Sequence, residues 1–118
     1  MTSYQGICHC GTVKFSFTLP TPITEMEVVR CNCSICTQNG YLMVYPKPSE
    51  ISFDHPEDAV TAYRFASKKF PHYFCATCGS SLYARGPEET GLVAVNVRAV
   101  EGVDLETLKL KAMDGRSM

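Results

Sequence analysis

Apolar and polar positions alternate along most of this chain with the period of two that marks a strand with one buried face. Val13, Phe15, Phe17 and Leu19 alternate with Lys14, Ser16 and Thr18 until Pro20 and Pro22 end the run, since proline cannot donate to a sheet ladder. Met26 and Val28 begin a second short strand that delivers the chain to Cys31. Tyr41-Leu42-Met43-Val44-Tyr45 is apolar on both faces, as a central strand would be, and Pro46 and Pro48 close it. Ile51 and Phe53 continue the alternation, His55-Pro56-Glu57-Asp58 reads as a turn, and Val60 to Phe65 as a further strand. Phe70 to Phe74 enters a cysteine pair and Leu82 to Ala84 leaves it.

The cleanest pattern comes late. From Leu92 to Val100, Val93, Val95, Val97 and Ala99 oppose Ala94, Asn96 and Arg98, and Asp104 is placed to cap one helical turn over Leu105 to Leu108. Many short strands, Gly/Pro punctuation and almost no helical periodicity predict an all-β domain. With 118 residues and 45% hydrophobic composition, the expectation is a single domain over residues 1–118.

Seven cysteines change the picture from architecture to chemistry. Cys31, Cys33 and Cys36 fall within six residues, while Cys8/Cys10 and Cys75/Cys78 form two further pairs. Thiolates are preferred ligands of tetrahedral zinc: a structural site takes four ligands, and a catalytic one takes three with a position left open. One partition is therefore four plus three, with Cys31, Cys33 and Cys36 as an open site. The other is a zinc ribbon of Cys33-x-x-Cys36 with Cys75-x-x-Cys78, leaving Cys8, Cys10 and Cys31 over. Spacing does not separate the two, but both require bound zinc.

Charge and termini narrow the class. A net charge of −1, with Lys68-Lys69 as the longest basic run, lacks the basic stripe of a nucleic-acid binder. The first residues have neither the positive start nor the apolar run of a signal peptide, no stretch reaches the length of a membrane span, and CxC and CxxC clusters suit a reducing compartment. The expectation is a cytoplasmic protein that binds neither nucleic acid nor membrane.

Three segments then carry a family likeness. Gly6-x-Cys8-His9-Cys10-Gly11-x-Val13, Cys31-x-Cys33-Ser34-x-Cys36 and Phe74-Cys75-x-x-Cys78-Gly79-Ser80 resemble the glutathione-dependent formaldehyde-activating enzyme family, which also includes centromere protein V. Val95-Asn96-Val97-Arg98, Gly102-Val103-Asp104-Leu105 and Asp114-Gly115-Arg116 extend the likeness over nearly the whole chain. The resemblance implies coiled antiparallel sheets of the beta-tent type with zinc knuckles and little helix. It also implies two zincs per chain, a structural one on Cys8, Cys10, Cys75 and Cys78 and a catalytic one on Cys31, Cys33 and Cys36. The activity it implies is that of a carbon-sulfur lyase, combining a small thiol such as glutathione with a small aldehyde, formaldehyde, to give S-(hydroxymethyl)glutathione. A zinc-stabilised module that binds a protein partner without chemistry is the alternative.

Other residues are weaker candidates. His9 or His72 could complete the second site as a fourth ligand, although His72, between Phe70 and Phe74, reads first as a packed strand residue. Tyr41 and Tyr45 could line a pocket but read as core. Asn96 and Arg98 could meet a carboxylate, yet a solvated strand face is the default reading. A redox role for Cys33-x-x-Cys36 would need a helix N-terminus, and Gln38-Asn39-Gly40 argues for a turn instead.

Overall fold

In a computed structural model of the chain, which describes residues 2–64, 70–87 and 89–114, the alternating runs become two open sheets. The first sheet is wholly antiparallel, with β1 (Thr2–Ile7), β2 (Lys14–Leu19) and β5 (Ile51–Asp54) in the order β1-β2-β5. Phe15, Phe17 and Leu19 of β2 are buried, as their alternation predicts. Gly6 on β1 stands opposite Phe15, and a β-carbon there would overlap the Phe15 ring, so only glycine allows this pairing.

The second sheet has seven strands, in the order β10 (Lys109–Met113), β3 (Glu27–Cys31), β4 (Met43–Val44), β9 (Val93–Asn96), β8 (Ser81–Arg85), β7 (His72–Cys75) and β6 (Val60–Tyr63). Its neighbours are antiparallel except β10, which runs parallel to β3 with Met113 opposite Cys31. The fold is all-β, as the pattern predicts, with one short α-helix and several single 3-10 turns among the described residues. Phe65, Lys68, Lys69, Gly115 and Arg116 lie outside the described residues.

The main core fills the space between the sheets, where Phe15, Phe17 and Leu19 meet Val28, Val44, Leu82, Val93 and Val95. A second, smaller cluster lies on the opposite face of the seven-stranded sheet and joins Cys36, Tyr41 and Met43 to Ala84 and Ala94. Strands β4 and β9 are consequently buried on both faces. Ala84 and Ala94 are direct register partners, and their small side chains leave room on that face for the cysteine-bearing helix.

Three expectations need correction. The run 41–45 is central, but only Met43–Val44 joins the ladder, and Tyr45 is exposed. The run 92–100 leaves the sheet at Asn96, because the Asn96 side chain accepts from Arg98 N at 3.2 Å and caps a 3-10 turn over Val97–Ala99. The turn expected at 38–40 is the end of helix α1 (Ser34–Asn39), whose cap Gly40 sits at φ 66°. Asp104 does cap a single turn, accepting from Glu106 N at 3.0 Å. Among the described residues no helix is long and apolar enough to cross a membrane.

Candidate metal centres

The connections between strands bring the cysteines together as four and three. Cys8 and Cys10 lie in the turn from β1 to β2, Cys75 ends β7 and Cys78 lies in the turn from β7 to β8, so the group joins one hairpin of each sheet. The two turns share a design. Each returns a backbone N–H to its first cysteine's carbonyl, Gly11 to Cys8 at 3.1 Å and Gly79 to Cys75 at 2.9 Å, with both glycines at positive φ. His9 N donates to Ser80 Oγ at 3.1 Å and ties one turn to the other.

All four sulfurs lie within 4.8 Å of one another, with Cys8–Cys10 at 3.5 Å and Cys10–Cys75 at 3.6 Å. A zinc tetrahedron with Zn–S of about 2.3 Å has edges of about 3.8 Å, so the spacing fits that ion. The surroundings fit thiolates. Val13 N donates to Cys8 Sγ at 3.2 Å, and Thr77 N and Cys78 N donate to Cys75 Sγ at 3.4 Å each. The Ser80 hydroxyl and N–H, then the Cys10 backbone, bring the Cys78 thiol down to about 5, and Thr12 lowers Cys10 in the same way. Burial raises Cys75.

Cys31 ends β3, Cys33 caps α1 and Cys36 lies one turn into it, which puts their three sulfurs within the same 4.8 Å limit. Among the described residues no further Cys, His, Asp or Glu joins the group. Burial opposes ionisation at Cys33, yet the backbone N–H groups of Cys36 and Ile35 and the neighbouring thiols outweigh it and leave the thiol lowered. Cys36, more deeply placed, is raised by burial and by the two thiols beside it. The three therefore share charge unequally, and a cation bound among them would relieve the repulsion.

A cavity of about 440 Å³ opens against Cys31 and Cys36 of this triad, with Arg30, Asn32, Tyr41, Arg98 and Asp114 on its walls. Arg98 Nε donates to Gly40 O at 2.7 Å, and Asn32 Nδ2 to Asp114 Oδ1 at 2.8 Å. Arg98 also borders a second hollow of about 670 Å³, shared with His9, Asn39, Ser80 and Asn96, which reaches the four-cysteine group. Burial raises Tyr41, and partial burial together with the triad cysteines raises Tyr45, so their hydroxyls stay protonated at neutral pH.

The sequence-predicted residues thus fall into two sets. Cys8, Cys10, Cys75 and Cys78 form one group and Cys31, Cys33 and Cys36 the other, with Tyr41 and Arg98 beside the triad. His9 is exposed on the four-cysteine turn, and neither it nor His72 joins the triad. His72 is buried, its ring edge-on to Tyr41 at 5.0 Å, as a packed strand residue. Asn96 is buried rather than solvated, because β9 is covered on both faces; its Nδ2 donates to Ser81 O at 2.9 Å. Sequence pattern alone does not single out Arg30 and Asn32; Asn32 lies between two of the triad cysteines, and β10 brings Asp114 across to it.

Two cysteine groups clasped by open β-sheets define the class to which comparison then gives a family. The profile of the glutathione-dependent formaldehyde-activating enzyme family matches residues 3–112, and the chain belongs to that family. It is similar to a Halomonas elongata protein named "Putative glutathione-dependent formaldehyde-activating enzyme", with 27% identity over 105 residues that cover 82% of this chain and 65% of that protein. The chain thus spans less than two thirds of that relative. A crystal structure of a Rhodobacter sphaeroides protein superposes with a TM-score of 0.77 at 26% identity, covering 91% of this chain and 99% of that one.

Proposed function

We propose that the chain is a zinc-dependent enzyme of carbon-sulfur bond formation and cleavage, acting on a thiol adduct of a small aldehyde in a reducing, cytoplasmic setting. The observation that carries this reading is the triad: three sulfurs within 4.8 Å, no fourth ligand among the described residues, and a cavity of about 440 Å³ against Cys31 and Cys36. In this reading residues 1–118 work as one domain, with Cys8, Cys10, Cys75 and Cys78 holding a structural zinc and Cys31, Cys33 and Cys36 a catalytic one. When bound at the triad, zinc supplies an open position that keeps a substrate thiol as its thiolate at neutral pH.

The chain's own residues bind and orient. Arg98, held by Gly40, and Arg30 give the cavity positive charge, and a guanidinium suits a carboxylate. The hollow that continues past Arg98 toward Ser80 accommodates an extended thiol. Glutathione fits both features, and the family and the Halomonas relative support it, with formaldehyde as the aldehyde. The sulfur attacks the carbonyl carbon, a C–S bond forms as the C=O π bond breaks, and the oxygen takes a proton from water in the open cavity. Cleavage is the reverse.

Zinc per chain, measured before and after excess glutathione with protein thiols titrated in parallel, tests the reading. Two zincs, one of them perturbed by the thiol, are expected. One zinc, or two that ignore the thiol, would favour a structural module that binds a protein partner.

A further inference from the structure

The face of the seven-stranded sheet turned away from the triad carries a group of side chains that the proposed chemistry does not use. Tyr73 and Tyr83 are register partners on β7 and β8, with stacked rings 5.0 Å apart. Phe53, reaching from β5 of the other sheet, packs 4.6 Å from Tyr83. Side chains two apart on a strand share a face, so Arg85 joins Tyr83, while His72 and Ala84 belong to the side where Tyr41 and Cys36 pack.

Arg85 is held in place. Its guanidinium carbon lies 4.4 Å above the centre of the Phe53 ring and 5.8 Å from that of Tyr73. It also lies 5.7 Å from the centre of the Tyr83 ring, and the Tyr83 hydroxyl is fixed by His55. His55 Nδ1 lies 2.9 Å from Pro56 O, which can only accept, so in the neutral ring Nδ1 carries the proton. Nε2 then accepts from Tyr83 Oη at 3.2 Å. The relay runs from Tyr83 through His55 to backbone, and the Arg85 guanidinium, held on ring faces, carries five N–H donors.

These groups line a cleft of about 760 Å³, open between the two sheets and within the roughly 300–1,000 Å³ of small-molecule sites. Arg64 stands at its rim, and Glu57 is the one acidic residue among the described residues that line it. No carboxylate pairs with either arginine among the described residues. An immobilised guanidinium, a second cation and an aromatic wall suit a small anion with an apolar body.

We propose that this cleft is a second ligand site, separate from the triad, that takes a small organic anion with a flat apolar body and a carboxylate. The body lies along Tyr73 and the carboxylate meets the fork of Arg85 with Arg64 beside it, since the guanidinium plane matches two carboxylate oxygens.

Two-dimensional amide NMR on the full zinc-loaded chain, titrated with benzoate, neutral benzamide and inorganic phosphate, tests this. Benzoate is expected to shift the Tyr73, Tyr83 and Arg85 amides saturably and leave those of Cys31 to Cys36 in place. Benzamide and phosphate should each bind at least about tenfold more weakly, and Arg85→Gln should weaken benzoate by about tenfold. Absence of saturable shifts, benzamide or phosphate binding as tightly as benzoate, shifts centred on the triad, or unchanged affinity in Arg85→Gln would each overturn the proposal. Should that variant not fold, Arg64→Gln, at an exposed position, carries the test: binding about threefold weaker is expected, and unchanged affinity overturns it.

Discussion

Arg98 Nε donates to the carbonyl oxygen of Gly40 at 2.7 Å, fastening the turn after β9 to the residue that ends α1. The bond holds the cysteine-bearing helix and a cation against the same cavity. Gly40 permits it twice over, by its positive φ of 66° and because a β-carbon there would stand 3.3 Å from Arg98 Nε. Gly40→Ala should therefore cost about 1–2 kcal/mol, measured by urea unfolding of the zinc-loaded protein.

Arg98 itself separates binding from chemistry. Arg98→Lys keeps a positive charge but loses the fixed fork, so KM for a carboxylate-bearing thiol should rise about tenfold, with kcat changed less. Steady-state kinetics with glutathione and with a thiol lacking carboxylates checks this, since the second substrate should be indifferent to the change.

The two cysteine groups should respond differently to loss of a sulfur. Cys33→Ser removes one sulfur from a local triad and should release one zinc with the β-sheet circular dichroism intact. Cys75→Ser removes a buried sulfur from the group that joins the sheets and should release the other zinc along with several kcal/mol of stability. Metal analysis with thermal unfolding of both variants distinguishes the outcomes.

Asn96 is a buried amide with its bonds spent on backbone. It donates to Ser81 O at 2.9 Å and accepts from Leu42 N at 3.4 Å and Arg98 N at 3.2 Å. Asn96→Ala should cost about 2–3 kcal/mol, because groups inside the fold lose their partners. Chemical unfolding measures the loss, and Asn96→Asp, which keeps the acceptor but removes the donor, should fall between.

His72 sets a pH dependence. Burial lowers it below the ordinary 6.5, so on acidification the unfolded chain takes up the proton first. Stability should rise with pH between the lowered folded value and 6.5, and lie flat above it as far as this group is concerned. His72→Gln should flatten that part of the profile relative to wild type, measured by unfolding midpoints at matched zinc.

Much of this was legible from alternation. β2 could be read because one face is buried and the other is solvated, and Asp104 because capping is local chemistry. β9 misled for the opposite reason: covered on both sides, it buries Asn96 as fully as its valines, so alternation no longer reports which face is wet. Helix α1 escaped because it is six residues long and its one buried residue is Cys36, which reads as a ligand rather than as part of an apolar stripe. β10 escaped because all five of its residues are exposed and its parallel partner lies 82 positions earlier. Spacing left the partition of the cysteines open. The topology that brings residues 8 and 75 together settles their grouping, and no local pattern encodes it.

The order in which the chain can gather its sulfurs follows from where they lie. The triad is complete within six consecutive residues and could capture a metal on an otherwise formless chain. The other group needs the first hairpin to meet a cysteine 65 residues further on. Metal held there would tie a hairpin of one sheet to a hairpin of the other, and a chain lacking Cys78 is expected to compete poorly for zinc at that position.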